Sequence, residues 1–131
     1  ESFVFPGNLV GNLTSLKRYG FTAYRWHSGY ELDVPRRDEH GLWMIPGGVC
    51  WEKPEGWPVE AWIGALQRCV DQAQETGTVL HLWFHPSCDP INLEEVFPAL
   101  LDYVASHRRD LWVRTMGGLV DWLISAGKGG V

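Results

Sequence analysis

What this chain lacks narrows it first. Its Lys and Arg are scattered and the formal net charge is −5. A phosphate backbone needs a clustered positive field, so no nucleic-acid partner is expected, and Arg36-Arg37 and Arg108-Arg109 read as solvated faces. No apolar run approaches the roughly 20 residues that span a bilayer, so no membrane segment is expected. The start, Glu1-Ser2-Phe3-Val4-Phe5-Pro6, has neither an initiating Met nor a basic region followed by an apolar core. It reads as a piece of something longer. Cysteine is scarce: Cys50, Cys69 and Cys88 are odd in number and unevenly spaced, which is neither a disulfide framework nor a zinc knuckle. Reduced thiols in a cytoplasmic setting are the simplest expectation. There is no internal repeat and no low-complexity tract. Gly47-Gly48 and Gly117-Gly118 lack the rest of a phosphate-binding loop and read as turn and cap residues.

What the chain does have is aromatic mass. Its 131 residues are one domain's worth, residues 1–131 as a single unit, and they include eight Trp, five Phe and four Tyr. Exposed indoles are a usual platform for stacking on sugar rings, although for any one Trp a place in the core is the better expectation.

The stretch Val79-Leu80-His81-Leu82-Trp83-Phe84-His85-Pro86 organises the rest. It alternates between Gly77 and Pro86, so it reads as a buried strand that delivers a histidine to a loop. Side chains alternate across a strand, so His81, Trp83 and His85 share one face and Leu80, Leu82 and Phe84 the other. In α/β folds the chemistry collects at the carboxyl ends of strands, which puts His85 first and His81 second as candidate site residues. The competing reading is that both are core histidines bonded to neighbouring carbonyls.

Around this strand the pattern is α/β. Phe3-Val4-Phe5 reads as a strand, residues 9–19 as a helix closed by Gly20, and Phe21-Thr22-Ala23-Tyr24-Arg25 as a second strand, which implies parallel pairing. Residues 26–56 lose periodicity, with one short strand expected at Leu42-Trp43-Met44-Ile45. So long an excursion suits a lid or a pocket wall. A helix is expected from Pro58 to about Glu75, with Trp62, Ala65, Leu66, Cys69 and Val70 on one stripe. Pro98 defers the next regular helix, expected from Pro98 to about His107. Leu111-Trp112-Val113-Arg114 is expected as a last strand, and Thr115 as the cap of a final helix through Leu123.

No metal site is expected from spacing. His27-Ser28-Gly29-Tyr30-Glu31 superficially resembles His-Ser-x-x-His but lacks the second histidine, and Glu31 would have to replace it. His81 and His85 on one strand lie about 13 Å apart and cannot share an ion. Cys88, with His85 as base and Asp89 orienting it, invites a nucleophile reading, but no family motif surrounds that thiol.

These residues carry a resemblance. The strand ending in His85-Pro86 resembles the last motif of polysaccharide deacetylases with the NodB-like homology domain, of carbohydrate esterase 4-type. Phe3-Val4-Phe5-Pro6, the helix after it and Gly20-Phe21-Thr22-Ala23-Tyr24-Arg25 resemble that family's middle segment. Residues 111–123 resemble its closing strand and helix. The likeness covers most of the chain. It implies the C-terminal portion of a distorted (β/α)7 barrel, a partial (β/α) barrel, and removal of N-acetyl groups from amino sugars with a divalent metal, usually zinc. The family's Asp-Asp and His-[Ser/Thr]-x-x-His motifs precede the matched region, so this chain alone is expected to bind no metal and to be inactive. By the resemblance His85 falls on the general acid, Trp83 on the position of a Leu lining the acetyl pocket, and Gly7 near the backbone N–H that holds the oxyanion. The family's Arg beside the Phe-Pro segment is absent, with Val4 and Gly7 where it could stand. The expected partner is an N-acetylated carbohydrate. A carbohydrate-binding relic of the same fold and an unrelated α/β domain stand as alternatives.

Overall fold

A computed structural model of the protein describes residues 1–27, 32–85 and 88–127. Strand β1 (Ser2–Phe3) leads through a single 3-10 turn (Pro6–Asn8) to helix α1 (Leu13–Arg18) and strand β2 (Ala23–Trp26). Strands β3 (Arg36–Arg37), β4 (Trp43–Pro46) and β5 (Val49–Cys50) precede helix α2 (Val59–Thr76) and strand β6 (Leu82–Trp83). A π turn (Asn92–Val96) runs directly into helix α3 (Phe97–Ser106), and helix α4 (Met116–Ser125) comes last. The described residues form mixed α/β structure with one four-stranded and one two-stranded sheet, and no closed barrel among them. Among the described residues no helix is long and apolar enough to cross a membrane.

The chain divides into two compact units, Glu1–Gly47 with Arg114–Val131, and Gly48–Val113. In the first, the sheet order is β1-β2-β4-β3, with β1, β2 and β4 parallel and β3 antiparallel at the edge. The expected strand-helix-Gly-strand unit is therefore present. Alternation along β2 and β4 sends Ala23, Trp43 and Ile45 to one side, where Val120 and Leu123 of α4 cover them. Tyr24 and Met44 face the other side with Leu16 of α1, Phe3 and Phe21. Both faces of the parallel pair β2 and β4 are covered, as parallel strands require, whereas β3 at the edge is exposed.

In the second unit β5 and β6 pair in parallel, Val49 opposite Leu82 and Cys50 opposite Trp83. Leu66, Val70 and Ala73 are buried along one side of α2. The first two join Val49, Trp51, Val96 and Leu100 in a core that Leu80, Leu82 and Phe84 pack against. Gly77 closes α2 in the left-handed conformation, at φ +65°. Gly48 is required by a close approach: at φ +56°, a Cβ there would lie 2.1 Å from the His81 carbonyl oxygen. Only a bare Cα lets Val49 N–H reach that same oxygen, at 3.0 Å.

Several expected elements are shorter or missing. The helix expected over residues 9–19 forms only from Leu13, because Asn8 and Asn12 adopt positive φ (57° and 53°) and leave Leu9 81% exposed. Asparagine tolerates that conformation better than other L-residues. The strand expected over residues 79–85 is regular only at Leu82–Trp83, and both residues are half-buried rather than buried. No strand forms at residues 111–114: Trp112 and Val113 are half exposed, while Leu111 alone packs into the core and its N–H bonds the His107 carbonyl. The helix expected from Pro98 is present as α3, and the wide turn before it absorbs the missing proline donor.

Candidate functional site

Parallel register builds the site. Cys50 stands opposite Trp83, so one step of pleat on each strand carries Trp51 to Phe84 and a second carries Glu52 to His85. The first of these pairs faces the core, where the Trp51 and Phe84 rings meet edge to face at 4.7 Å. The second therefore shares the opposite face with Cys50 and Trp83. The ladder ends here for a visible reason. Trp51 N–H donates to the Trp83 carbonyl at 3.0 Å, but the Trp51 carbonyl is taken by the indole N–H of Trp62, also at 3.0 Å. His85 N–H turns to the Glu52 carboxylate instead, at 2.9 Å.

The same Glu52 oxygen accepts from His85 Nδ1 at 2.5 Å. One carboxylate thus holds both the backbone and the ring of His85, and with Nδ1 carrying the donated proton, Nε2 is left for other partners. The His85 side chain is 62% exposed and that of Glu52 30%. Trp83 packs against the imidazole edge to face at 5.6 Å. Bonds from the His85 ring and backbone hold the Glu52 carboxyl below the usual carboxylate range, against a smaller opposing effect of burial. Cys88, just beyond His85, brings its sulfur to the same place: one ligand atom from each of Glu52, His85 and Cys88 lies within 4.8 Å of the others. Burial is the main cause that pushes the Cys50 thiol up, and the neighbouring Glu52 and Cys88 add to it.

Of the candidate residues read from the sequence, Trp83 and His85 come together on one face, as the alternation indicates. His81 lies at the start of the same stretch, half-buried, with its carbonyl engaged by Val49. Gly7 belongs to the other unit, inside the 3-10 turn at φ +60°, where a side chain would be strained. Pro86, Ser87 and the segment from Ser28 to Glu31 lie outside the described residues, so the His27/Glu31 pair is not placed; His27 itself is exposed. Asp89 does not orient His85; its carboxylate accepts from Ile91 N–H at 3.0 Å. Glu52 belongs to none of the sequence motifs, though Val49-Cys50-Trp51-Glu52 alternates apolar with reactive and follows two glycines, which is a short-strand pattern. No protein-family model matches this chain, and neither a curated protein nor a solved structure does.

Proposed function

We propose that this chain is the C-terminal part of a metal-dependent polysaccharide or amino-sugar N-deacetylase, in which His85 is the general acid and Glu52 positions it. One observation carries the reading: the carboxylate grips His85 through Nδ1 and the backbone N–H while most of the ring stays open to solvent. Deacetylation expels a poor leaving group, an amine, which must gain a proton as the C–N bond breaks. An imidazolium donating from Nε2 supplies it, and the adjacent carboxylate stabilises that cation and fixes the ring's direction. Trp83 restrains the imidazole from the side and, with His81, lines the substrate's approach on this face.

The zinc of that family is a separate matter. The resemblance implies Asp and two His ligands from motifs that this chain does not contain, and Glu52, His85 and Cys88 are a different donor set. Proton donation by His85 therefore stands without the ion. The reading predicts an Asp-Asp strand and a His-[Ser/Thr]-x-x-His motif in the coding sequence upstream; their absence would sink it.

In the protein that carries those motifs, His85→Ala should lower kcat by about 10²- to 10⁴-fold, the usual worth of a positioned acid. Glu52→Gln should lower kcat by a smaller factor with KM unchanged, and His81→Ala should act mainly through stability or pocket shape. Near-native turnover of His85→Ala would end the assignment. A non-catalytic sugar-binding module is the second reading, favoured by Trp57: it is 48% exposed, and its ring is braced at 5.8 Å by Trp62. That reading predicts chitooligosaccharide binding, followed by indole fluorescence, that His85→Ala leaves intact and Trp57→Ala removes.

A further inference from the structure

We propose that Glu52, His85 and Cys88 form a binding site for a thiophilic divalent cation such as zinc. The inference does not rest on the deacetylase reading, since it uses donor chemistry alone. A carboxylate oxygen, an imidazole nitrogen and a cysteine sulfur converge within 4.8 Å. A tetrahedral ion with bonds of about 2.0–2.3 Å needs its ligand atoms roughly 3.4–3.6 Å apart. Glu52 and His85, at 2.5 Å, must open by about one ångström to admit the ion between them, and Cys88 must swing in by about the same amount.

Both movements are open to side chains with solvent on one side: His85 and Cys88 are exposed and Glu52 half-buried. The backbone need not move. Pairing of β5 with β6 fixes the strands from which Glu52 and His85 project, and Cys88 N–H donates to the His85 carbonyl at 3.1 Å, which ties the third ligand to the second. Coordination releases the thiol proton of Cys88 to solvent, because the thiolate is the ligand, and the imidazole proton moves from Nδ1 to Nε2 so that the nitrogen facing Glu52 can bind the ion.

The donor set selects the ion. Sulfur with nitrogen and one oxygen suits zinc, cobalt or cadmium, whereas magnesium and calcium require oxygen alone. Water takes the fourth position. Ion and proton donation compete for one imidazole, so where the deacetylase reading holds, zinc at this site is inhibitory.

The purified full chain, kept reduced, should be titrated with cobalt(II) and followed by absorbance. We expect one ion per chain, a dissociation constant of about micromolar, and a near-ultraviolet sulfur-to-cobalt charge-transfer band. Cys88→Ser, at an exposed position, should abolish that band without altering the far-ultraviolet circular dichroism. Glu52→Gln should weaken binding at least about tenfold, since a neutral amide is a poor ligand. His81→Ala should leave the band in place. No band at saturating cobalt, a band that survives Cys88→Ser, or affinity indifferent to Glu52→Gln would each overturn the site. The deacetylase reading fails separately: Cys88→Ser removes the ion site but should retain turnover, whereas His85→Ala should lose both.

Discussion

The two units solve the same problem with unequal means. The first spreads its apolar residues over both faces of a four-stranded sheet and covers each with a helix. The second has a two-residue strand pair with only one face in the core, and the other face carries Cys50, Glu52, Trp83 and His85. The buried positions of a sheet covered on both sides exclude charge, because a charge there would forfeit its hydration. Reactive side chains collect where pairing stops early, and in the second unit it stops because Trp62 and Glu52 take the next carbonyl and the next N–H.

The sharpest way to break this comparison is at glycine. Gly48 and Gly20 both have positive φ, but a Cβ on Gly48 meets the His81 backbone at 2.1 Å while one on Gly20 meets nothing within 4 Å. Gly48→Ala should therefore cost about 4–5 kcal/mol in denaturant unfolding and Gly20→Ala about 1–2 kcal/mol. Equal losses would show that the close approach does not matter. Next comes the core: Leu66, fully buried in the second unit, should cost about 3 kcal/mol as Leu66→Ala. Amide exchange should show the lost protection confined to residues 48–113, and an equal loss over residues 1–47 would make the two units one cooperative body.

The units should also respond to pH in opposite directions. Burial first, and then Asp38, push the Tyr24 phenol in the first unit up to about 12. A raised pKa favours the folded state fully below the unfolded value of about 10 and loses that contribution as pH climbs to the folded one, up to roughly 2 kcal/mol. Asp38→Asn should shrink the loss. Glu52 in the second unit is depressed by His85, so its contribution is present above the unfolded value of about 4.3 and disappears on acidification. Stability curves of the wild type and Glu52→Gln should therefore converge at low pH; curves that stay parallel would refute the pairing. The smallest effect is expected at Thr115, whose side chain accepts from Gly118 N–H at 3.1 Å at the start of α4. Thr115→Ala should cost about 1 kcal/mol, seen as a small fall in Tm.

How much of this was legible in the sequence follows from what each pattern encodes. Strand alternation put Trp83 and His85 on one face and Phe84 on the other, and Gly77 and Thr115 marked helix ends correctly. The alternation could not say how long the strand stays paired, since that depends on Trp62, which lies about twenty residues upstream. Nor could it find Glu52. That residue sits in a stretch dominated by Gly, Pro and charge, and it becomes His85's partner only through a register that no local period reports. The excess length given to the first helix has a plainer cause: Leu9 fits a helical spacing, and two asparagines at positive φ overrule it.

The return of α4 to the first unit carries a consequence for the order of folding. Residues 48–113 are contiguous, so the second unit can close its contacts as soon as its own segment is synthesised, whereas Ala23, Trp43 and Ile45 must wait for Val120 and Leu123. During that wait one face of the four-stranded sheet is bare and adhesive, and joining its two ends closes a long loop late, at an entropic cost that grows only slowly with length. A nascent chain stalled before residue 116 would therefore display that apolar face, the sort of surface that general chaperones hold.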